Sequence, residues 1–98
     1  MNSKTRAYLK SLAHPIKATV MVGKGGVDER IYASLDESLA SHELVKVKFQ
    51  ALKDQVRPLS EELASNTGSD LVSVIGFIAT FYRPSEERLI VIPKELQK

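Results

Sequence analysis

A lysine stands among three glycines at Gly23-Lys24-Gly25-Gly26, directly after the apolar run Val20-Met21-Val22. A helical pattern that opens with Asp28 and Glu29 follows at once. A glycine-rich turn between a strand and a helix can hold phosphate, because its backbone N–H groups reach an oxyanion and the helix N-terminus favours negative charge. Two nucleotide motifs fail in detail. A P-loop needs a Ser or Thr after its lysine to hold magnesium, and Gly25 follows Lys24. The dinucleotide pattern G-x-G-x-x-G would need its last glycine where Asp28 stands. Two readings fit the residues. In one, the glycines allow a tight strand-to-helix turn with positive φ. In the other, Gly23-Lys24-Gly25-Gly26 is a GxxG loop of the kind found in KH domains. Its missing side chains let the backbone approach a sugar-phosphate chain, and Lys24 supplies a mobile positive charge.

Catalytic chemistry has little support. His14 and His42 are the only histidines; one sits at an expected helix end and the other just before an expected strand. Neither belongs to an HExxH-like pair, and no nucleophile stands in a known local motif. The carboxylates 28/29, 36/37, 61/62 and 86/87 are adjacent pairs. Neighbours on a helix point apart, so these pairs read as solvated faces rather than as acid–base dyads. There is no cysteine, which excludes a disulfide framework, a thiolate metal site and a thiol nucleophile. No cofactor is expected.

The elements that must position the glycine turn follow from periodicity. Ser3 can cap a first helix that runs to about Ala13 and gathers Tyr8, Leu9 and Leu12 on one side, with Lys4, Arg6 and Lys10 on the other. His14-Pro15 ends it. Residues 17–22 read as a strand. Val27 to Ser41 reads as a helix with Val27, Ile31, Leu35 and Leu39 on one face. Residues 43–50 alternate as a strand, Val45, Val47 and Phe49 opposite Lys46 and Lys48. A third helix is expected from about Gln55 to Thr67, with Asp54 as cap, Pro58 in the first turn and Gly68 as stop. Residues 71–75 and 78–83 form a hairpin across Gly76-Phe77, where glycine in the first loop position fits a type II′ turn. Residues 89–92 could pair as a last strand or lie along the body.

The order α-β-α-β-α-β-β makes the first three strands parallel and the fourth antiparallel. A lysine-bearing strand face that is not fully buried favours two layers, an α/β fold with a mixed four-stranded sheet. The glycine turn, residues 50–54 and the Gly76-Phe77 tip then share the carboxyl edge of the sheet, where α/β folds usually bind ligands.

The 98 residues suit a single domain over 1–98, and no apolar run approaches the length of a membrane helix. The start of the chain lacks the apolar stretch of a signal peptide, so a cytoplasmic location is expected. The net charge of +2 hides an asymmetry. Lys4, Arg6, Lys10, Lys17 and Lys24 precede the first acid, Asp28, whereas the rest of the chain is acidic on balance. Such a local basic field attracts phosphate.

Four stretches now carry a resemblance: LKSLAHPIKATVMVGKGGV at 9–27, SLASHELVKVKF at 38–49, NTGSDLVSVIG at 66–76 and FYRPSEER at 81–88. In this order and spacing the chain resembles the CRM domain family, named for chloroplast RNA splicing and ribosome maturation, in its stand-alone bacterial YhbY-type form. The resemblance implies a two-layer fold like the C-terminal domain of bacterial translation initiation factor three. It also implies RNA binding, with Gly23 and Gly26 as the family's GxxG hallmark, no enzymatic activity, and association with precursors of the large ribosomal subunit during assembly. It leads one to expect a basic or polar residue after Gly76, where this chain has Phe77.

The expected function is RNA binding by a monomer. Gly23, Lys24, Gly25 and Gly26 form the loop, Lys4, Arg6, Lys10 and Lys17 neutralise phosphate, and Phe77 is either a stacking platform or a plug over the sheet edge. The alternative is a protein-interaction module whose basic face meets an acidic partner.

Overall fold

The computed structural model describes residues 1–96. The chain forms α1 (Ser3–Ala13), β1 (Val20–Val22), α2 (Glu29–His42), β2 (Leu44–Phe49), α3 (Val56–Thr67), β3 (Asp70–Ile75) and β4 (Ile78–Tyr82). The sheet order is β1-β2-β4-β3, with β1 parallel to β2 and β4 antiparallel to both of its neighbours. β1, β2 and β3 therefore run one way and β4 runs against them, as expected. The hairpin closes across Gly76-Phe77, with Ile75 opposite Ile78 and only Gly76 at positive φ, +59°. That is the signature of the type II′ turn.

Several boundaries shift for local reasons. Asn2, not Ser3, caps α1: its side chain accepts from the Thr5 N–H at 2.8 Å. Asp28 is itself the cap of α2, so that helix begins at Glu29 rather than Val27. Asp54 caps nothing, because a single 3-10 turn over Lys53–Gln55 leads into α3. Residues 17–19 stay outside β1, although the Thr19 N–H already donates to Lys46. Gly68 ends α3 in the left-handed region at φ +63°, where a Cβ would be strained.

The sheet buries different sets of side chains on its two faces. On one, α2 and α3 lay Leu35, Leu39 and Leu63 against Val20, Val22, Val45, Val47, Phe49, Ala79 and Phe81. On the other, α1 packs Leu9 and Ala13 against Leu44, Val72 and Tyr82. A register shift between Leu71 and Ser73 marks a bulge in β3, and Val72 joins this second cluster there. Residues 89–92 do not pair as a strand. They keep an extended alternation, Ile90 and Ile92 packed against the second cluster and Leu89 and Val91 turned to solvent. The strap and α1 leave part of this face open, so Met21, Lys48 and Ile75 are exposed there.

Glu43 ties these parts together. It ends α2 with a left-handed φ of +63° and is fully buried. Its N–H donates to Leu39 and its carbonyl accepts from Arg83, joining the end of α2 to the end of β4. Its carboxylate accepts from the Ser85 N–H at 3.0 Å, the Leu89 N–H at 2.8 Å, the Ile90 N–H at 2.9 Å and the Ser85 hydroxyl. Burial by itself would raise the pKa of this carboxyl. The hydrogen bonds from Ser85, Ile90 and Leu89 outweigh burial and hold it down, from 4.5 to about 2.

A folded-state pKa below the unfolded one gives stability that is present in full above the unfolded value and lost as pH falls through the folded value. Glu43 therefore stabilises the fold above pH 4.5 and loses that contribution as pH falls toward about 2. Glu43→Gln should cost about 1–3 kcal/mol near neutrality, because its amide turns a donor toward donors. Urea denaturation of both proteins across this pH range is expected to show the gap narrowing as acid is added. A gap that stays constant would mean that the charge on Glu43 does not hold the strap.

Candidate nucleic-acid interface

Val22 ends β1, and the chain turns at once. The Gly26 N–H donates to the Gly23 carbonyl at 3.0 Å, closing a four-residue turn with Lys24 and Gly25 at its two central positions. Lys24 and Gly25 are exposed. Neither has a left-handed φ, so the turn itself does not require glycine at position 25. Gly26 differs. Its φ is +75°, and a Cβ there would lie 3.4 Å from the Leu52 Cδ1. Around Gly23 and Gly25 a Cβ would meet nothing within 4 Å. The two readings of the glycines thus divide among positions: Gly26 answers to conformation, while at Gly23 and Gly25 the fold makes no demand that a small side chain would violate.

The turn opens on a cleft of about 310 Å³ lined by Gly23, Gly25, Gly26, Asp28, Arg30 and Ile31. Asp28 changes the electrostatics expected of this place. Its carboxylate accepts from the N–H groups of Arg30 at 3.1 Å and Ile31 at 3.2 Å. Those donors of α2 are therefore occupied from within, and the expectation of open N–H groups at this helix end is corrected. Arg30 is almost fully exposed and its guanidinium lies 3.6 Å from Asp28. The cleft thus holds one acid, already engaged as a cap, beside a mobile arginine. Sequence reading passed over Arg30 because it falls within an ordinary polar helical turn.

The other parts of the edge come together as the topology requires. The Gln50 N–H donates to the Val22 carbonyl and the Phe49 N–H to the Phe77 carbonyl, both at 2.8 Å. Leu52 then lies against Gly26, and the Lys53 ammonium sits 4.6 Å from the centroid of the Phe77 ring. The glycine turn, residues 50–53 and the hairpin tip therefore form one continuous edge. Phe77 is 46% exposed, so it does not plug the core. Residues 20–27 and 44–53 contain no acid, and the acids that border them on this edge are Asp28, at the cleft, and Asp54, in the 3-10 turn.

The N-terminal cations lie elsewhere. Lys4 and Lys10 on α1, and Lys17 in the segment after it, are exposed; α1 packs on the face away from α2, and none of the three lines the glycine cleft. Arg6 serves the fold directly. Its guanidinium donates to the carbonyls of Leu71 at 2.6 Å and Val72 at 3.3 Å, at the β3 bulge on the sheet margin. Asp36, read as part of a solvated pair, holds Arg83 at 2.6 Å, and the same guanidinium donates to the Thr67 carbonyl. His14 caps α1 through its backbone, and its carbonyl receives Lys46 at 3.5 Å. Among the described residues there is no cluster of three or more potential metal ligands.

The chain is similar to proteins of known kind along nearly its whole length. It is 34% identical over 96 residues to an RNA-binding protein of Haemophilus influenzae, covering 97% of both chains. It is 32% identical over 88 residues to the probable RNA-binding protein YqeI of Bacillus subtilis, covering 89% of this chain and 92% of that one. The solution structure of a candidate RNA-binding protein from Staphylococcus aureus superposes with a TM-score of 0.81 at 39% identity, covering 95% of this chain and 99% of that one. The profile of the CRS1/YhbY (CRM) domain matches residues 1–83, and the chain belongs to that family.

Proposed function

We propose that the protein binds RNA through the carboxyl edge of its sheet, and that the RNA is ribosomal, within precursors of the large subunit. The observation that carries the first part is the division among the glycines. Gly23 and Gly25 are not required by conformation or packing, yet they flank an exposed lysine beside a cleft whose one acid, Asp28, is engaged as a helix cap. Close approach of a backbone-sized partner explains glycine where the fold does not. The names of the relatives from Haemophilus and Bacillus support the same reading. The ribosomal part rests on the resemblance to stand-alone bacterial members of the family.

The mechanism is association without a catalytic step. Lys24 and Arg30 at the turn, with Lys48 and Lys53 nearby along the edge, draw the phosphate backbone in and release its counterions. The sugar-phosphate chain then lies against Gly23–Gly25, and Lys24 closes over a phosphate. Lys4, Lys10 and Lys17 extend the field on the α1 side and steer the approach. Arg6 adds charge there while it holds the β3 margin. Crosslinking in cells followed by sequencing of the attached RNA tests the ribosomal assignment. Large-subunit sequences should dominate, and an even spread over cellular RNA would overturn it.

Lys24→Glu should weaken RNA binding while leaving stability within about 0.5 kcal/mol, as for most exposed positions. The salt dependence should become shallower, by a log–log slope of roughly 0.7 if one single-strand phosphate contact is lost. Filter binding at low salt with unchanged affinity would remove Lys24 from the interface.

Two alanine variants separate access from conformation. Gly26→Ala should lower stability by about 1–2 kcal/mol, the cost of a Cβ in the left-handed region. Gly23→Ala should melt like the wild type and still bind RNA less well. Thermal melting beside a binding titration reads both, and a Gly23→Ala protein with full affinity would leave close approach unsupported.

A further inference from the structure

We propose that Phe77 and Lys53 form a stacking subsite for one unpaired RNA base at the hairpin tip, separate from the phosphate contact at the glycine turn. The proposal rests on the RNA-binding reading above and deepens it, because it makes the preferred ligand single-stranded.

Phenylalanine is among the residues most often buried. Phe77 keeps nearly half its surface in solvent, at 46%. Its position is nevertheless fixed. The Gly76 φ of +59° sets the turn, and the Phe77 carbonyl is held by the Phe49 N–H at 2.8 Å. The ring is steadied as well. The Lys53 ammonium lies 4.6 Å from its centroid, within the range of cation–π attraction. The cation stands over one ring face, and the proposed base stacks on the exposed part of the ring.

Lys53 owes its place to an unusual backbone. Leu52 has φ +55° and ψ +39°, a left-handed conformation that side chains with a Cβ avoid. From there the chain enters the 3-10 turn, closed by the Gln55 N–H on the Leu52 carbonyl at 2.9 Å. Leu52 also packs against Gly26, so the same strained residue relates the Lys53–Phe77 pair to the glycine turn. A chain that is held on its phosphates at the turn meets the aromatic ring along the same edge.

The chemistry selects the ligand. An aromatic face with a cation beside it suits a planar base whose neighbouring phosphate is negative. The bases of a duplex are stacked inside and cannot reach an external ring, so only an unpaired nucleotide qualifies. Strands β2 and β4, which bring Phe49 and Phe77 together, hold no acid that would repel the phosphate.

The test compares a single-stranded polyadenylate oligomer with an RNA duplex in binding titrations, using wild type, Phe77→Ala, Phe77→Leu and Phe77→Trp. Phe77→Leu keeps apolar bulk and removes the π face, so it guards against a mere loss of packing. Both Phe77→Ala and Phe77→Leu should lower single-strand affinity roughly 5- to 150-fold, the range of one lost base stack. Duplex affinity and the melting midpoint should hold steady, and Phe77→Trp should restore single-strand binding. Equal single-strand affinity in wild type and Phe77→Leu, with Lys24→Glu still weakening both ligands, would overturn the stacking subsite alone. A wild type that binds neither RNA would overturn the RNA-binding reading and the subsite with it.

Discussion

The fold depends on one buried carboxylate. Glu43 stands where α2 must stop and β2 must start, and a single residue makes that reversal by taking a left-handed φ. Its side chain then reaches the N–H groups of Ser85, Leu89 and Ile90. An extended segment with no partner strand would leave such donors open, and water or a side chain must satisfy them. Here the carboxylate does so, and Arg88, itself at φ +51°, turns the segment between its points of attachment. With the segment held, Ile90 and Ile92 cover Leu44 and Tyr82. Farther along, the Leu96 carbonyl receives the side chains of Asn2 and Thr5 at the start of α1. The second core, with α1 beside it, is therefore assembled on a strap whose anchor is Glu43.

At the other end of the sheet a different economy holds. Helix capping by Asp28 and the proposed binding at the glycine turn would draw on the same N–H groups, and the Arg30 and Ile31 N–H groups go to the cap. α2 is thereby stable with no ligand present. Attraction for an anion falls to side-chain cations and to the bare backbone of residues 23–25. This division fits a long polyanion better than a small one. A helix N-terminus concentrates its donors on one anion, whereas a chain of phosphates is held by dispersed charges along an edge.

Much of this was legible in the sequence. Helices with apolar stripes, the alternating β2 and the Gly76-Phe77 loop each obey one local rule, and each appears within a few residues of its expected bounds. The carboxyl-edge grouping followed from strand directions alone. Glu43 was hidden because nothing local marks a glutamate that will be buried; its partners lie more than forty residues away. The contacts of Arg6 were hidden for the same reason, since its partners belong to a bulge in a distant strand. The strap pattern at 89–92 was ambiguous because alternation reports which side chains are buried and not whether a neighbouring strand exists. Phe77 could not be placed in or out of the core by periodicity, because a turn has none.

The positions of these features explain why binding and stability need not interfere. Glu43 immediately precedes β2 and the edge at Phe49 ends it, so about six residues at roughly 3.3 Å each separate the anchor from the interface. Sites so far apart, with no shared partner, contribute almost independently. The glycines at 23 and 25, the exposed lysines and the ring at the hairpin tip are residues whose chemistry can vary at little cost to the core. With the cores on either side of the sheet, folding constrains Gly26 and Leu52 at this edge but leaves Gly23, Lys24, Gly25 and Lys53 free to be composed for a ligand.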